Sequence, residues 1–141
     1  MDTLKVMISE YLLNPYPRRM WVAIGENFDE VKLAFNMCEE DMNLTGEEVE
    51  DEYEAIVFTV SKETYAGYLV FITNSSTTKT LAHEALHVAL NVYRDCNMEV
   101  STKMDQEPLC YLLGYVFSIL ENDVNKYKNE SSRSESNHDN D

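Results

Sequence analysis

The residues best suited to chemistry are two histidines four positions apart, His83 and His87. On an α-helix this spacing corresponds to about 40° of rotation and about 6 Å of rise, so both imidazoles leave the same face. Two nitrogens on one face can bind a single ion at about 2.0 to 2.1 Å each, the bond lengths that zinc requires. We therefore expect His83 and His87 to be metal ligands.

Glu84 directly follows the first histidine and completes the pattern HExxH. Because it lies one position further round the helix, its carboxylate is poorly placed to bind the metal but can reach a metal-bound water. That is the position of a general base, and we predict Glu84 as the catalytic residue. The competing interpretation is a pair of ordinary core histidines. It is less favoured, because two of only three histidines in the chain have this spacing with a glutamate between them.

A third protein ligand must come from outside the motif, since a catalytic zinc usually takes three and leaves one position for water. The downstream candidates are five carboxylates: Asp95, Glu99, Asp105, Glu107 and Glu121. We choose Glu107 because it opens an apolar helix that can pack against the first one, and because the positive end of that helix favours an ionised carboxylate. Ligands of this kind accept several divalent ions, so Zn²⁺ is expected but not distinguished from the others.

Two helices are predicted to carry these residues. Residues 78–94 contain neither glycine nor proline and are apolar around most of the circumference, which predicts a buried helix around the motif. A last helix is expected over about residues 106–124, with Asp105 as its cap. Pro108 falls in the first turn of that helix, where proline is accepted.

Four short apolar runs, rich in β-branched and aromatic residues, predict strands over residues 5–13, 20–24, 55–60 and 68–73. The last two are expected to form a hairpin. Between the second and third strands, a short helix is expected to begin behind Asn27 or Asp29. The order β, β, α, β, β, α, α predicts an α+β fold, in which a small antiparallel or mixed sheet packs on the HExxH helix and on the C-terminal helix that bears Glu107.

Composition narrows the range of partners. The chain has 141 residues, with 11 Lys and Arg against 26 Asp and Glu, and a net charge of −15. This charge repels phosphate backbones and anionic lipids, so we expect neither a nucleic-acid nor a membrane partner. No apolar stretch approaches the roughly 18 residues that span a bilayer, and the N-terminus lacks a signal-peptide layout. Three cysteines without CxxC spacing favour a reducing compartment. We therefore predict a cytoplasmic protein and leave its oligomeric state open.

Two segments differ from the rest in composition. Residues 125–141 contain no aliphatic residue and predict a disordered polar tail behind a single domain over residues 1–124. Residues 39–54 carry nine acids and no base, which predicts a solvated acidic loop.

The HExxH helix, followed 20 residues later by Glu107 at the start of a second helix, resembles the gluzincin type of zinc metallopeptidase. Over about residues 55–120 the chain is similar to the minimal forms, among them ImmA/IrrE-type proteases and small HExxH proteins encoded by phages. The resemblance implies zinc bound by His83, His87 and Glu107, with Glu84 activating water to hydrolyse a peptide or protein substrate. It also implies that the strand at residues 68–73 is the sheet edge that pairs with an extended peptide. A phage-encoded member would work in the host cytoplasm.

One tyrosine is a candidate helper for the developing oxyanion. Tyr111 lies four residues after Glu107, where thermolysin-like members have an aspartate, and a phenol near the metal can stabilise negative oxygen. Packing at the rim of the core is the competing role for Tyr111.

Two other functions remain as alternatives to hydrolysis by a free enzyme. The first is a non-catalytic structural or binding protein that retains a zinc site. The second is a SprT-like protease acting on DNA-bound proteins, which the acidic charge disfavours.

Overall fold

The computed structural model describes residues 6–38, 54–62 and 65–139. Within these ranges, four strands form one sheet in the order β1-β2-β4-β3: β1 (Val6–Leu12), β2 (Arg19–Gly25), β3 (Ala55–Lys62) and β4 (Tyr65–Thr73). The same ranges contain three helices: α1 (Phe28–Cys38), α2 (Thr78–Asp95) and α3 (Glu107–Asp139). The predicted α+β class and the predicted order of elements are confirmed. Apart from Glu54, the predicted acidic loop lies outside the described residues.

The sheet is mixed. β1 pairs with β2 and β3 pairs with β4 in antiparallel fashion, which confirms the predicted hairpin, whereas β2 and β4 are parallel neighbours. Gly67 permits this parallel pairing, because a Cβ atom at its position would lie only 2.1 Å from the carbonyl oxygen of Arg19. The register then runs without a break from Arg19 opposite Gly67 to Gly25 opposite Thr73.

The prediction that residues 68–73 form the substrate-pairing edge is wrong. β4 lies between β2 and β3, and the edges of the described sheet are β1 and β3. The physical reason lies in burial: the stretch from Tyr68 to Ile72 is at most 1% exposed along its whole length, on both faces of the sheet. A strand that is covered on both faces typically lies in the interior of a sheet.

Helices cover both faces of the sheet. α1 packs on one face, where Trp21 meets Phe35 edge-on at a ring-centroid distance of 5.8 Å. α2 and α3 pack together on the other face and enclose the larger core, which includes Val70, Val88 and Val116. The helix that carries the HExxH motif is thus held between the sheet and a second helix, as the sequence predicted.

α3 extends further than the sequence predicted. Instead of ending near Val124 before a disordered tail, the helix runs to Asp139, and the side chain of Tyr127 is only 3% exposed within the core. The reason is that no glycine or proline interrupts the chain after Gly114, while Tyr127 continues the buried stripe of Leu120 and Val124. Although α3 is long, none of the helices among the described residues is apolar enough over sufficient length to cross a membrane.

Candidate metal centre

The local sequence explains the straight course of α2 through the motif. The side chain of Thr77 caps the helix by accepting a hydrogen bond from the backbone N–H of Thr80 at 3.4 Å. Leu81, Ala85 and Val88 follow at helical spacing and are buried against the sheet and α3. Of the positions between these apolar residues, only that of Glu84 is buried, and the others lie on the outer side of the helix.

His83 and His87 lie on that outer side, and both are exposed. Their Nε2 atoms are 3.1 Å apart, and their ring centroids are 4.8 Å apart with an interplanar angle of 73°. For an ion about 2.05 Å from both nitrogens, the N–ion–N angle would be about 100°, which is close to the tetrahedral angle. The two Nε2 atoms are within hydrogen-bond distance of each other, and the same separation matches two adjacent ligand positions of a zinc ion.

Glu84 is buried although it is charged in its ordinary state. Its side chain is 6% exposed, and this burial raises the pKa of the carboxyl group, an effect that positive charge on His87 and His83 opposes. Glu84 lines a depression of about 300 Å³ together with both histidines, Asn91 and the first three residues of β3. A carboxylate at this place can exchange a proton with a group held at the imidazoles.

The depression runs between α2 and β3, an edge strand of the described sheet. At one end, the hydroxyl of Thr80 donates a hydrogen bond to the carboxylate of Glu54, the residue before β3. At the other end, Arg94 donates to the hydroxyl of Thr59 at 3.4 Å. α2 is thus tied to the edge strand on both sides of the histidine pair. Within the described part of the chain, no strand pairs with the outer edge of β3.

A polar cluster at the end of α2, which the sequence did not reveal, fixes the orientation of the helix. Asp95 accepts hydrogen bonds from the hydroxyl of Tyr68 at 2.7 Å and from Nε of Arg94 at 2.8 Å. The bond from Arg94 is the main reason why the pKa of Asp95 is lowered, while burial and this same carboxylate raise the pKa of Tyr68. Asp95, one of the five carboxylates considered as the third ligand, is therefore engaged by Tyr68 and Arg94 instead.

The structure does not bring Glu107 to the histidine pair. Glu107 begins α3 as an exposed residue, and its backbone N–H donates to the Asp105 side chain at 3.0 Å, so Asp105 caps the helix as predicted. Val116, which is fully buried, lies nine residues further on and hence about 180° round the helix from Glu107. Among the described residues, no group of three or more His, Cys, Asp or Glu side chains is close enough to hold a metal ion.

Tyr111 shares the outward side of α3 with Glu107. Its side chain is 74% exposed, and it does not line the depression beside the histidines. The role of Tyr111 as an oxyanion helper stays a prediction, and so does the role of Glu107 as a metal ligand. The sequence indicates that Glu107 and Tyr111 lie on the outward side of α3. Leu112, Val116 and Leu120 repeat every four residues, and this repeat predicts that the opposite face of the helix is buried.

Comparison with known proteins adds no family to this picture. No family model matches the chain, and no curated protein or solved structure is significantly similar to it. The site is therefore defined by its own side chains, which are two converging imidazoles and one buried carboxylate beside the edge of a sheet.

Proposed function

We propose that this protein is a zinc-dependent metallopeptidase of the gluzincin type, which hydrolyses peptide bonds with metal-activated water. The observation that carries the proposal is the 3.1 Å separation of the Nε2 atoms of His83 and His87, with the buried Glu84 lining the same depression. Imidazole pairs with an adjacent carboxyl group are the arrangement that HExxH hydrolysis requires.

Each residue has a distinct task in this proposal. His83 and His87 hold the metal, which when bound supplies a Lewis acid and lowers the pKa of a coordinated water. Glu84 would accept a proton from a water held at the imidazoles and return it to the leaving amine.

The edge of β3 is the proposed contact for an extended peptide or protein substrate. It takes the place of residues 68–73, which lie inside the sheet. Unpaired backbone groups of an edge strand can be satisfied by an added peptide strand, and the residues Ala55 to Val57 line the depression beside Glu84. A substrate paired there would pass directly over the two histidines.

Glu107 remains our proposed third ligand. For its carboxylate to join the histidines, the first turn of α3 must reorient towards α2, since Glu107 now lies on the side opposite the buried Val116. The loop at residues 96–106 joins the two helices and is the segment in which such a change would occur. We further propose that the protein works in the cytoplasm, where its cysteines Cys96 and Cys110 stay free, as they are here.

The second candidate is a non-catalytic structural or binding protein that retains a zinc site. One observation favours it: the described residues contribute two imidazoles but no third donor. A metal held in this way has too few protein ligands for a catalytic site of the usual kind.

Cleavage profiling separates the two candidates. We expect the zinc-loaded protein to cleave members of a random peptide library, and Glu84→Gln to bind zinc equally well but to lose cleavage by a factor of at least 10³. Asn91→Ala, which alters the depression without touching the three motif residues, is the matched control and should keep measurable activity. Cleavage by Glu84→Gln at the wild-type rate would contradict the role of Glu84, and absence of cleavage by the loaded wild type would favour the non-catalytic candidate.

A further inference from the structure

The exposed side of α2 differs in charge from the rest of the molecule. The chain carries 26 acidic residues and a net charge of −15, yet none of the exposed residues of α2 is acidic. The exposed residues are Thr78, Lys79, Ala82, His83, Leu86, His87, Leu90 and Arg94. We call this surface the α2 face. Two copies of the protein that meet through it bring no exposed carboxylate of α2 against another.

Apolar side chains lie beside the histidines on the α2 face. Leu86 is 42% exposed and Leu90 is 37% exposed, and they lie four residues apart on the helix. Residues at this spacing form a continuous stripe, so Leu86 and Leu90 run alongside the stripe of His83 and His87. Contact with a second α2 face would remove both leucines from water.

The number of donors points to the same partner. One chain presents two imidazoles with adjacent ligand positions, while a structural zinc ion takes four protein ligands. In a symmetric dimer, the same surface patch of both subunits forms the interface. If the two-fold axis passes through the ion, the two imidazoles of each chain together give four ligands. A second copy therefore completes the coordination that the described residues of one chain leave incomplete.

We propose that a divalent ion such as zinc links two copies of this protein through their α2 faces, with His83 and His87 of each copy as its four ligands. The inference rests on the metal-binding half of the proposed function and is independent of hydrolysis.

Sedimentation velocity with added ZnCl₂ tests this proposal on the full chain. Without metal we expect a mass of 16.3 kDa, and with zinc twice that value, complete at one ion per two chains and reversed by EDTA. One zinc ion per chain on a particle of 16.3 kDa would overturn the dimer but leave the proposed function intact. A chain that binds no zinc would remove the basis of both, and open-ended aggregation would also overturn the dimer.

Substitutions test whether the α2 face is the interface of the zinc-linked dimer. His83→Ala and His87→Ala should lose the zinc-dependent dimer while keeping the wild-type circular dichroism spectrum, because both rings are exposed. His138→Ala removes the only other histidine and should dimerise as the wild type does. The double variant Leu86→Ser, Leu90→Ser should dimerise with at least a fivefold higher dissociation constant. An unchanged constant in that double variant, or loss of the dimer in His138→Ala, would overturn the proposed interface.

Discussion

The hydroxyl of Tyr68 donates a 2.7 Å hydrogen bond to Oδ2 of Asp95, and this bond ties the middle of the sheet to the last residue of the HExxH helix. Tyr68 is fully buried in β4, next to the edge strand that borders the metal centre. Because β4 pairs with β3, this bond also fixes the position of the end of α2 relative to β3. Side chains far from the histidines thus contribute to the position of the histidines.

Replacing Tyr68 by phenylalanine should destabilise the protein by about 1 to 3 kcal/mol, because a hydrogen bond to a charged carboxylate is lost and Asp95 keeps only part of its pairing. Chemical denaturation of wild type and Tyr68→Phe at pH 7 measures this difference. Tyr111→Phe is the matched control, since the side chain of Tyr111 is 74% exposed. Equal losses in both variants would show that the Tyr68 bond contributes nothing specific.

The same cluster predicts a dependence on pH. The pKa of Asp95 is held below its ordinary value of 3.8, mainly by the hydrogen bond from Arg94. The stability that the ionised Asp95 contributes is therefore fully present above pH 3.8 and is lost as the pH falls through the lower pKa of the folded state. Asp95→Asn should be less stable than wild type at pH 7, and the difference should disappear towards pH 2. A difference that stays constant down to that pH would contradict the lowered pKa.

Asp123 is expected to show the opposite behaviour. It is buried on α3 and accepts a hydrogen bond from the hydroxyl of Tyr11, which lies 2.7 and 2.8 Å from its two carboxylate oxygens, but burial raises its pKa above the ordinary value of 3.8. The folded state then binds a proton more tightly than the unfolded chain, so the stability contributed by this group falls as the pH rises through that range. Asp123→Asn, which keeps an acceptor for Tyr11, should be more stable than wild type at pH 7.

The advantage of Asp123→Asn should shrink as the pH falls below the raised pKa, because the wild-type carboxyl group is then neutral too. Thermal unfolding of both proteins between pH 3 and pH 7 measures this trend. Tyr11→Phe is the companion variant and should destabilise the protein. If Asp123→Asn were less stable than wild type at every pH, the carboxylate would have to be stabilised in its charged form.

Two glycines give a matched pair of alanine substitutions. A Cβ atom at Gly67 would lie 2.1 Å from the carbonyl oxygen of Arg19, so Gly67→Ala must push β2 and β4 apart and should cost about 2 kcal/mol or more. At Gly114 no atom lies within 4 Å of the added carbon, and the residue is inside α3, so Gly114→Ala should stabilise by about 1 kcal/mol. Urea denaturation compares the two. Similar effects of both substitutions would contradict the close approach of β4 to β2.

Most helices and strands could be predicted because their signals are local. Asn27, for example, is a cap in the sequence and in the structure, where its side chain accepts from the backbone N–H of Glu30 at 2.9 Å. The interior position of β4 could not be predicted from the same signals. It depends on parallel pairing with β2, whose residues are distant in the chain, and an apolar run such as residues 68–73 suits an edge hairpin as well as an interior strand.

The same distinction between local and long-range signals applies to the residues of the candidate site. The convergence of His83 and His87 follows from the geometry of a single helix, so their spacing was enough to predict it. The place of Glu107 depends instead on how α3 packs on α2, and the repeat of Leu112, Val116 and Leu120 indicates the rotation of the helix without fixing the distance from Glu107 to the histidines. The buried stripe through Val116 sets that rotation, and it turns Glu107 towards solvent in the structure described here.

Nuclear magnetic resonance of the histidine side chains tests the metal centre most directly, because the chain has only three histidines. On titration with ZnCl₂ we predict saturable shifts of the Nε2 resonances of His83 and His87, with the resonances of His138 unchanged. Glu84→Gln should show the same shifts, since it keeps both ligands. Zinc that shifts His138 alone, or none of the three, would contradict a metal centre on α2.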